Sequence, residues 1–259
     1  MVDMKSHGNM KELIYVHLNT SHQYTISYGI DFIEFARSLP RELNHLLLLK
    51  HRFDGADFNM HSRFEFVEAE NVSKLLKEPI AEYGDFCWMD FEEMDGLNAL
   101  EGQEIAELLY LSHCKHHLRV PFYSKLDNRY VYLSHDDEWF NKTYYRNMSD
   151  FYFMLGRAIS LKLGHFRSER SFFTLRKGTP FPPIPKEMIA SFGDKMKEGM
   201  IISLAKTIQS RTRIDIPVWV VGDYINMDEM FEDYKVNFQN EPDGHFEFDK
   251  KAHEWSVYF

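Results

Sequence analysis

Residues 12–19 (ELIYVHLN) alternate apolar and polar side chains, the period-two pattern of a strand buried on one face. The period then changes. In residues 31–39 (DFIEFARSL), Phe32, Phe35, Ala36 and Leu39 recur at three- and four-residue spacing, which predicts a short helix ended by Pro40. Residues 45–53 and 63–68 read as strands on either side of Asp54-Gly55-Ala56-Asp57, a turn signal, so a hairpin is expected. Residues 85–91 (DFCWMDF) predict a further strand. Residues 97–118 carry the strongest helical stripe, with Leu100, Ile105, Leu108, Leu109 and Leu111 beside Glu101, Glu104 and Glu107. Residues 129–133 (RYVYL) alternate as a strand, and Ser149-Asp150 is expected to cap a helix over 151–163.

Beyond that helix, residues 179–185 hold four of the nine prolines, and proline disfavours helix both at its own position and before it. Residues 1–163 are therefore expected to form an N-terminal α+β domain, 164–185 a Pro-rich linker and 186–259 a smaller C-terminal α+β unit; residues 1–9 receive no structural role. In that unit Ile189, Phe192, Met196, Met200, Leu204 and Ile208 repeat at helical spacing from Pro185 onward. Gly193 and Gly199 weaken the pattern, and residues 200–207 also suit a strand. Residues 217–221 (PVWVV) predict a buried strand, 228–234 a short helix behind an Asn226 cap, and 245–249 with 254–258 a closing hairpin. The order is strand-rich, without the βαβ rhythm or glycine signature of a doubly wound nucleotide binder. It predicts an α+β fold with a mixed, largely antiparallel sheet and packed helices.

Composition narrows the setting. The chain has 259 residues, 44% hydrophobic and 15% aromatic, enough for a packed core. Forty acids against 30 bases leave a net charge of −10, which argues against charge-driven binding to nucleic acid or an anionic membrane. The charge is blocky, with ten acids and no Lys or Arg between Glu78 and Cys114. No apolar run approaches the roughly 18 residues of a membrane span, and Cys87 and Cys114 are too few for a disulfide scaffold. A soluble cytoplasmic protein with reduced thiols is expected.

The densest candidate chemistry is Ser112-His113-Cys114-Lys115-His116-His117 at the end of the acidic helical stripe. On a continuous helix His113 and His117, four apart, would share a face and could chelate a divalent metal such as zinc, with Glu107 one or two turns earlier. Cys114 and His117 also stand at the spacing of a thiolate–imidazolium pair. The competing reading is architectural, because cationic groups in a last helical turn oppose the dipole. His135-Asp136 resembles the paired ligands of HD-type metal phosphohydrolases. There the pair sits in a helical bundle, whereas residues 129–133 read as a strand, and Asp136 or Asp137 suits a turn. Asp85, Asp90, Glu92, Glu93 and Asp95 could supply a carboxylate pair or a solvated strand edge. Arg167, Arg170, Arg176 and Lys177 among Phe166, Phe172 and Phe173 could clamp a phosphate, or form a linker docking on the acidic N-terminal face. Neither GxxxxGK[ST], GxGxxG nor GxSxG is present.

The run Gly84-Asp-Phe-Cys-Trp-Met-Asp-Phe-Glu-Glu93, followed by EIAELLYLSHCKHH and YLSHDDEWF, resembles a soluble family of Bacillus-type bacteria sometimes labelled oxalate:formate antiporter. The resemblance runs over most of the chain and implies a source, with no catalytic residues to carry over. A transporter needs many apolar spans, so the label does not suit this sequence. Abundant aromatics, negative charge and the lack of a complete catalytic motif favour a non-enzymatic binding or regulatory protein, immunity- or adaptor-like, without a cofactor and with a basic protein partner. The alternative is a metal-dependent hydrolase with ligands drawn from His113, His117, Glu107, His135 and Asp136. A thiol enzyme built on Cys114 ranks third.

Overall fold

A computed structural model describes residues 12–50, 59–60, 63–80, 84–113, 117–135, 140–170, 181–224, 226–237 and 240–259. Among them are thirteen strands and eight α-helices, and the fold is α+β. Every strand pairing is antiparallel, and the strands form one sheet in the order β13-β12-β11-β9-β1-β2-β8-β7-β6-β3-β5-β4, with β10 pairing beside β11. The strands are β1 Leu13–Asn19, β2 Tyr24–Tyr28, β3 His45–Lys50, β4 Asn59–Met60, β5 Glu65–Val67, β6 Cys87–Phe91 and β7 Tyr130–His135. They continue with β8 Phe140–Tyr145, β9 Met200–Ser203, β10 Ile208–Gln209, β11 Arg213–Val220, β12 Gly244–Asp249 and β13 Glu254–Tyr258.

Helices cover both faces. On the first lie α1 (Phe32–Ser38), α2 (Ala69–Leu75), α5 (Met148–Arg170), α6 (Lys186–Ala190) and α7 (Gly193–Lys197), over the largest core cluster. The second face is covered in two patches. Over β3, β6 and β7 lie α3 (Met94–Asn98) and α4 (Gly102–Leu109), where Leu97, Ile105 and Leu108 pack on Leu47, Met89 and Val131. Over β1, β2, β9 and β11 lies α8 (Met227–Asn237), where Met230 and Phe231 pack with Tyr15, Tyr28 and Ile201.

Local chemistry accounts for most boundaries. Asp31 opens α1 with a capping box, its carboxylate accepting from the Glu34 N–H at 2.7 Å. α5 starts three residues before the expected helix, and Asn147, rather than Ser149-Asp150, accepts a first-turn N–H. α5 also continues to Arg170, inside the expected linker, while residues 171–180 lie outside the described residues. The helical pattern beyond Pro185 resolves into α6, α7 and β9. Gly199 lies at φ +86°, and a Cβ there would fall 1.7 Å from the Gly222 carbonyl oxygen, so helix cannot run through it. The sheet and the first-face core cross the division drawn at 164–185: β9 pairs with β1, and Phe192, Met200 and Phe246 share a cluster with Ile14 and Val16. The 45–53/63–68 pairing is present as β3–β5, with its turn outside the described residues.

Two central strands, β2 and β8, carry polar side chains on the buried first face. Thr25, Ser27, Asn141 and Thr143 are all buried there. Ser27 Oγ and Thr143 Oγ1 donate to Asn141 Oδ1 at 2.9 and 3.1 Å, and Asn141 Nδ2 donates to the Ile30 carbonyl at 3.0 Å. Ser27, Asn141 and Thr143 are thereby matched, and Thr25 shares a hydrogen bond with the Tyr145 hydroxyl, as burial requires. The residue between Asn141 and Thr143 is Lys142, which alternation turns to the second face.

Candidate functional site

Between the two helical patches on the second face runs a seam. Cross-strand register places His17, Ile26, Lys142 and Leu133 side by side across β1, β2, β8 and β7, and the neighbouring row places Asn19, Tyr24, Tyr144 and Val131. The β1–β2 turn adds His22: Asn19 Oδ1 accepts from the His22 backbone N–H at 3.0 Å, and Gln23 takes φ +52° to close the turn. From the other side the segment after α4 brings in His117, anchored by Leu118 and Phe122 on the second-face core.

These groups stack. His117 lies 4.1 Å from the His22 ring and 5.1 Å from the Tyr24 ring, and Tyr24 lies 5.4 Å from Tyr144, measured between centroids. The Lys142 ammonium sits 4.3 Å above Tyr24 and 5.1 Å above Tyr144, within range of attraction to both π faces. His117 Nδ1 is 3.4 Å from Lys142 Nζ and 3.4 Å from the Tyr144 hydroxyl. Unprotonated, that nitrogen accepts from either donor. At the far end of the seam His17 Nδ1 lies 3.1 Å from Asp223 Oδ1, out of line for a hydrogen bond.

Residues of the cluster line two hollows that share Leu118. The outer, about 920 Å³, is lined by residues including His22, Glu107, Tyr110, His117, Arg119 and Phe122. The inner, about 170 Å³, is lined by Lys142, Tyr144, His135, Ser112 and three leucines, of which Leu118 also lines the outer. Burial, the Lys142 charge and the adjacent His22 push the His117 imidazole below its ordinary value, and burial also lowers Lys142. No described carboxylate lies within ion-pair distance of Lys142, His22 or His117. The seam is basic and aromatic on a chain whose net charge is −10.

The described residues singled out for metal chemistry divide among different places. Glu107 and His117 both line the outer hollow, and His135 lines the inner, stacked on Phe140 at 5.0 Å. His113 lines neither hollow, and its side chain is exposed. The expected helix over 97–118 is broken before Gly102 and ends at Leu109, followed by a 3₁₀ turn over Leu111–His113. The four-residue spacing therefore does not set two imidazoles on one helical face. Among the described residues no three His, Cys, Asp or Glu side chains are grouped to hold a metal ion. Asp136, Asp137, Cys114, Lys115 and His116 lie outside the described residues, as do Arg176, Lys177 and the side chains of Arg167 and Arg170.

The acidic run after Gly84 has a structural use. Asp90 is buried on β6, where it accepts from the backbone N–H groups of Arg129 and Tyr130 at 2.9 and 2.7 Å and from Arg129 Nε at 2.9 Å. Glu92 reaches the same guanidinium at 3.3 Å. Sequence reasoning missed His22, Tyr24, Lys142 and Tyr144. The available signal was residues 140–145 (FNKTYY), in which one cation stands between Phe140 and Tyr144 on the same side of a strand. No family model, curated protein or solved structure matches the chain. No helix among the described residues is long and apolar enough to cross a membrane.

Proposed function

We propose that the protein is a non-enzymatic binding protein whose seam takes a small organic anion with an aromatic or apolar part. One observation carries this reading: Lys142, His117 and His22 are gathered together, each half-buried, without a described carboxylate among them. Grouping basic side chains at a partly desolvated site is unfavourable for the free protein, and an incoming anion reverses the sign of that cost. The adjoining rings of Tyr24 and Tyr144 and the Tyr110 and Phe122 walls suit the apolar part. Binding would raise the depressed His117 pKa, so complex formation takes up a proton and tightens as pH falls. Outside the seam, the acidic surplus of the chain is available to steer a basic protein partner, as an adaptor-like role requires.

Calorimetric titration of the full chain with benzoate and with benzylamine tests the reading. Saturable benzoate binding, tighter at pH 6 than at pH 8 and at least about tenfold weaker in Lys142→Met, is expected, the tenfold corresponding to about 1.4 kcal/mol. Equal binding of benzylamine, or benzoate affinity unchanged by Lys142→Met, overturns it.

A further inference from the structure

We propose that Lys142 captures the carbonyl group of an anionic aldehyde or keto acid as an imine, with His117 and Tyr144 moving the protons. The inference rests on the anion-binding reading and names the ligand class: a carboxylate-bearing carbonyl compound, its apolar part directed to the outer hollow.

A lysine forms an imine only from its neutral amine, so the site must hold the nitrogen where it can lose a proton and meet a carbon. Lys142 meets both conditions. Lys142 lines the inner hollow, and its Nζ stands 3.4 Å from His117 Nδ1, a nitrogen able to take the proton. Lys125 and Lys162 show the contrast, for Glu104 holds the first at 2.7 Å and Glu34 holds the second at 2.6 Å. Burial works on Lys142 against the charged form. Its backbone is fixed as well, because Asn141 and Thr143 on either side are buried and hydrogen-bonded within the sheet. A nucleophile on a central strand is held more closely in place than one on a loop.

The proton path is short. The Lys142 ammonium gives one proton to His117 Nδ1. The freed lone pair then forms the C–N bond to the carbonyl carbon while the C=O π pair moves to oxygen. That oxygen takes a proton from the Tyr144 hydroxyl, which is 3.4 Å from the same Nδ1 and is reprotonated by the imidazolium. Nitrogen in the adduct then holds two protons: one passes by way of His117 to the hydroxyl, the nitrogen lone pair expels that oxygen as water, and the protonated imine keeps the other. Amine and carbonyl become imine and water, with no oxidant or reductant consumed.

Phenylpyruvate with sodium borohydride is the test, applied to the full chain and followed by peptide mass mapping. The expected result is a reduced secondary-amine adduct at Lys142, formed in preference to Lys125 and Lys162, competed by benzoate and absent in Lys142→Arg. In His117→Ala trapping slows by about a hundredfold, the scale of a lost general base. Wild-type mapping needs no variant to fold: an unmodified Lys142, or adducts spread evenly over surface lysines, overturns the proposal. The two readings fail separately. Benzoate binding without trapping removes the imine and leaves the anion site, whereas absence of both removes the site itself.

Discussion

At the junction of β6 and β7 the Arg129 guanidinium meets Asp90 at 2.9 Å and Glu92 at 3.3 Å, while on β8 the Lys142 ammonium meets two phenol rings and an imidazole. Both cations are drawn partly out of water beside strands of one sheet. At Arg129 the chain supplies its own counter-charge, and two backbone N–H groups complete the carboxylate. At Lys142 no described residue does so. The difference separates architecture from recognition: where desolvation is already matched internally, an incoming ligand gains little, and where it is not, a ligand can supply the missing charge.

The largest way to break this comparison is Asp90→Ala. It leaves two backbone N–H groups of a buried knot without their acceptor and the guanidinium with Glu92 as its one remaining described carboxylate, and a loss of about 3–5 kcal/mol in denaturant unfolding is expected. A loss below about 1 kcal/mol would mean that the knot is not architectural. Asp90→Asn sharpens the point through pH. Burial pushes the Asp90 carboxyl up to about 6, against the pull of Arg129 and the backbone donors. A carboxyl raised on folding contributes stability that is complete below its unfolded value and lost as pH rises through the folded one. Wild type should therefore lose roughly 2–3 kcal/mol relative to Asp90→Asn between about pH 4 and pH 7. A stability difference flat across that window contradicts the assignment.

At the seam the order of effects reverses. Lys142→Met should change folding stability by no more than about 1 kcal/mol, because it removes a partly desolvated cation and keeps an apolar stem. Melting curves beside the benzoate titration check this, and a destabilisation as large as that of Asp90→Ala would make Lys142 a structural residue. The smallest effect concerns His117. A base lowered on folding contributes stability above its unfolded value of about 6.5, which is lost as pH falls through the folded one. Removing the Lys142 charge should let the imidazole titrate at higher pH, as followed by ring proton shifts. An unmoved titration would separate the two groups electrically.

Local pattern made much of the fold legible. β1 and the β12–β13 hairpin follow from alternation, and α1 from its stripe and Asp31 cap, since each signal lies within a few residues. β2 and β8 were illegible because their buried faces are polar. Ser27 is satisfied by Asn141, far away in sequence, so the composition that marks a core strand is missing. The site was legible in parts. His117, Glu107 and His135 stand out by residue type, but the spacing argument assumed a helix that stops at Leu109, and the partners His22 and Lys142 arrive through pairing of β1, β2 and β8. Asp90, read among candidate acids, is committed to Arg129 by a contact that only the folded sheet brings about.

β1 joins β2 almost at once, but its other neighbour is β9, which does not exist until Ser203 has been made. Through most of synthesis the chain therefore carries one apolar strand, with Ile14 and Val16 on it, whose outer edge has no native partner. Such long-range closure slows folding, and an open edge attracts strands of other molecules. Maturation of this sheet is a race between the arrival of its last third and the capture of β1 by a neighbouring nascent chain.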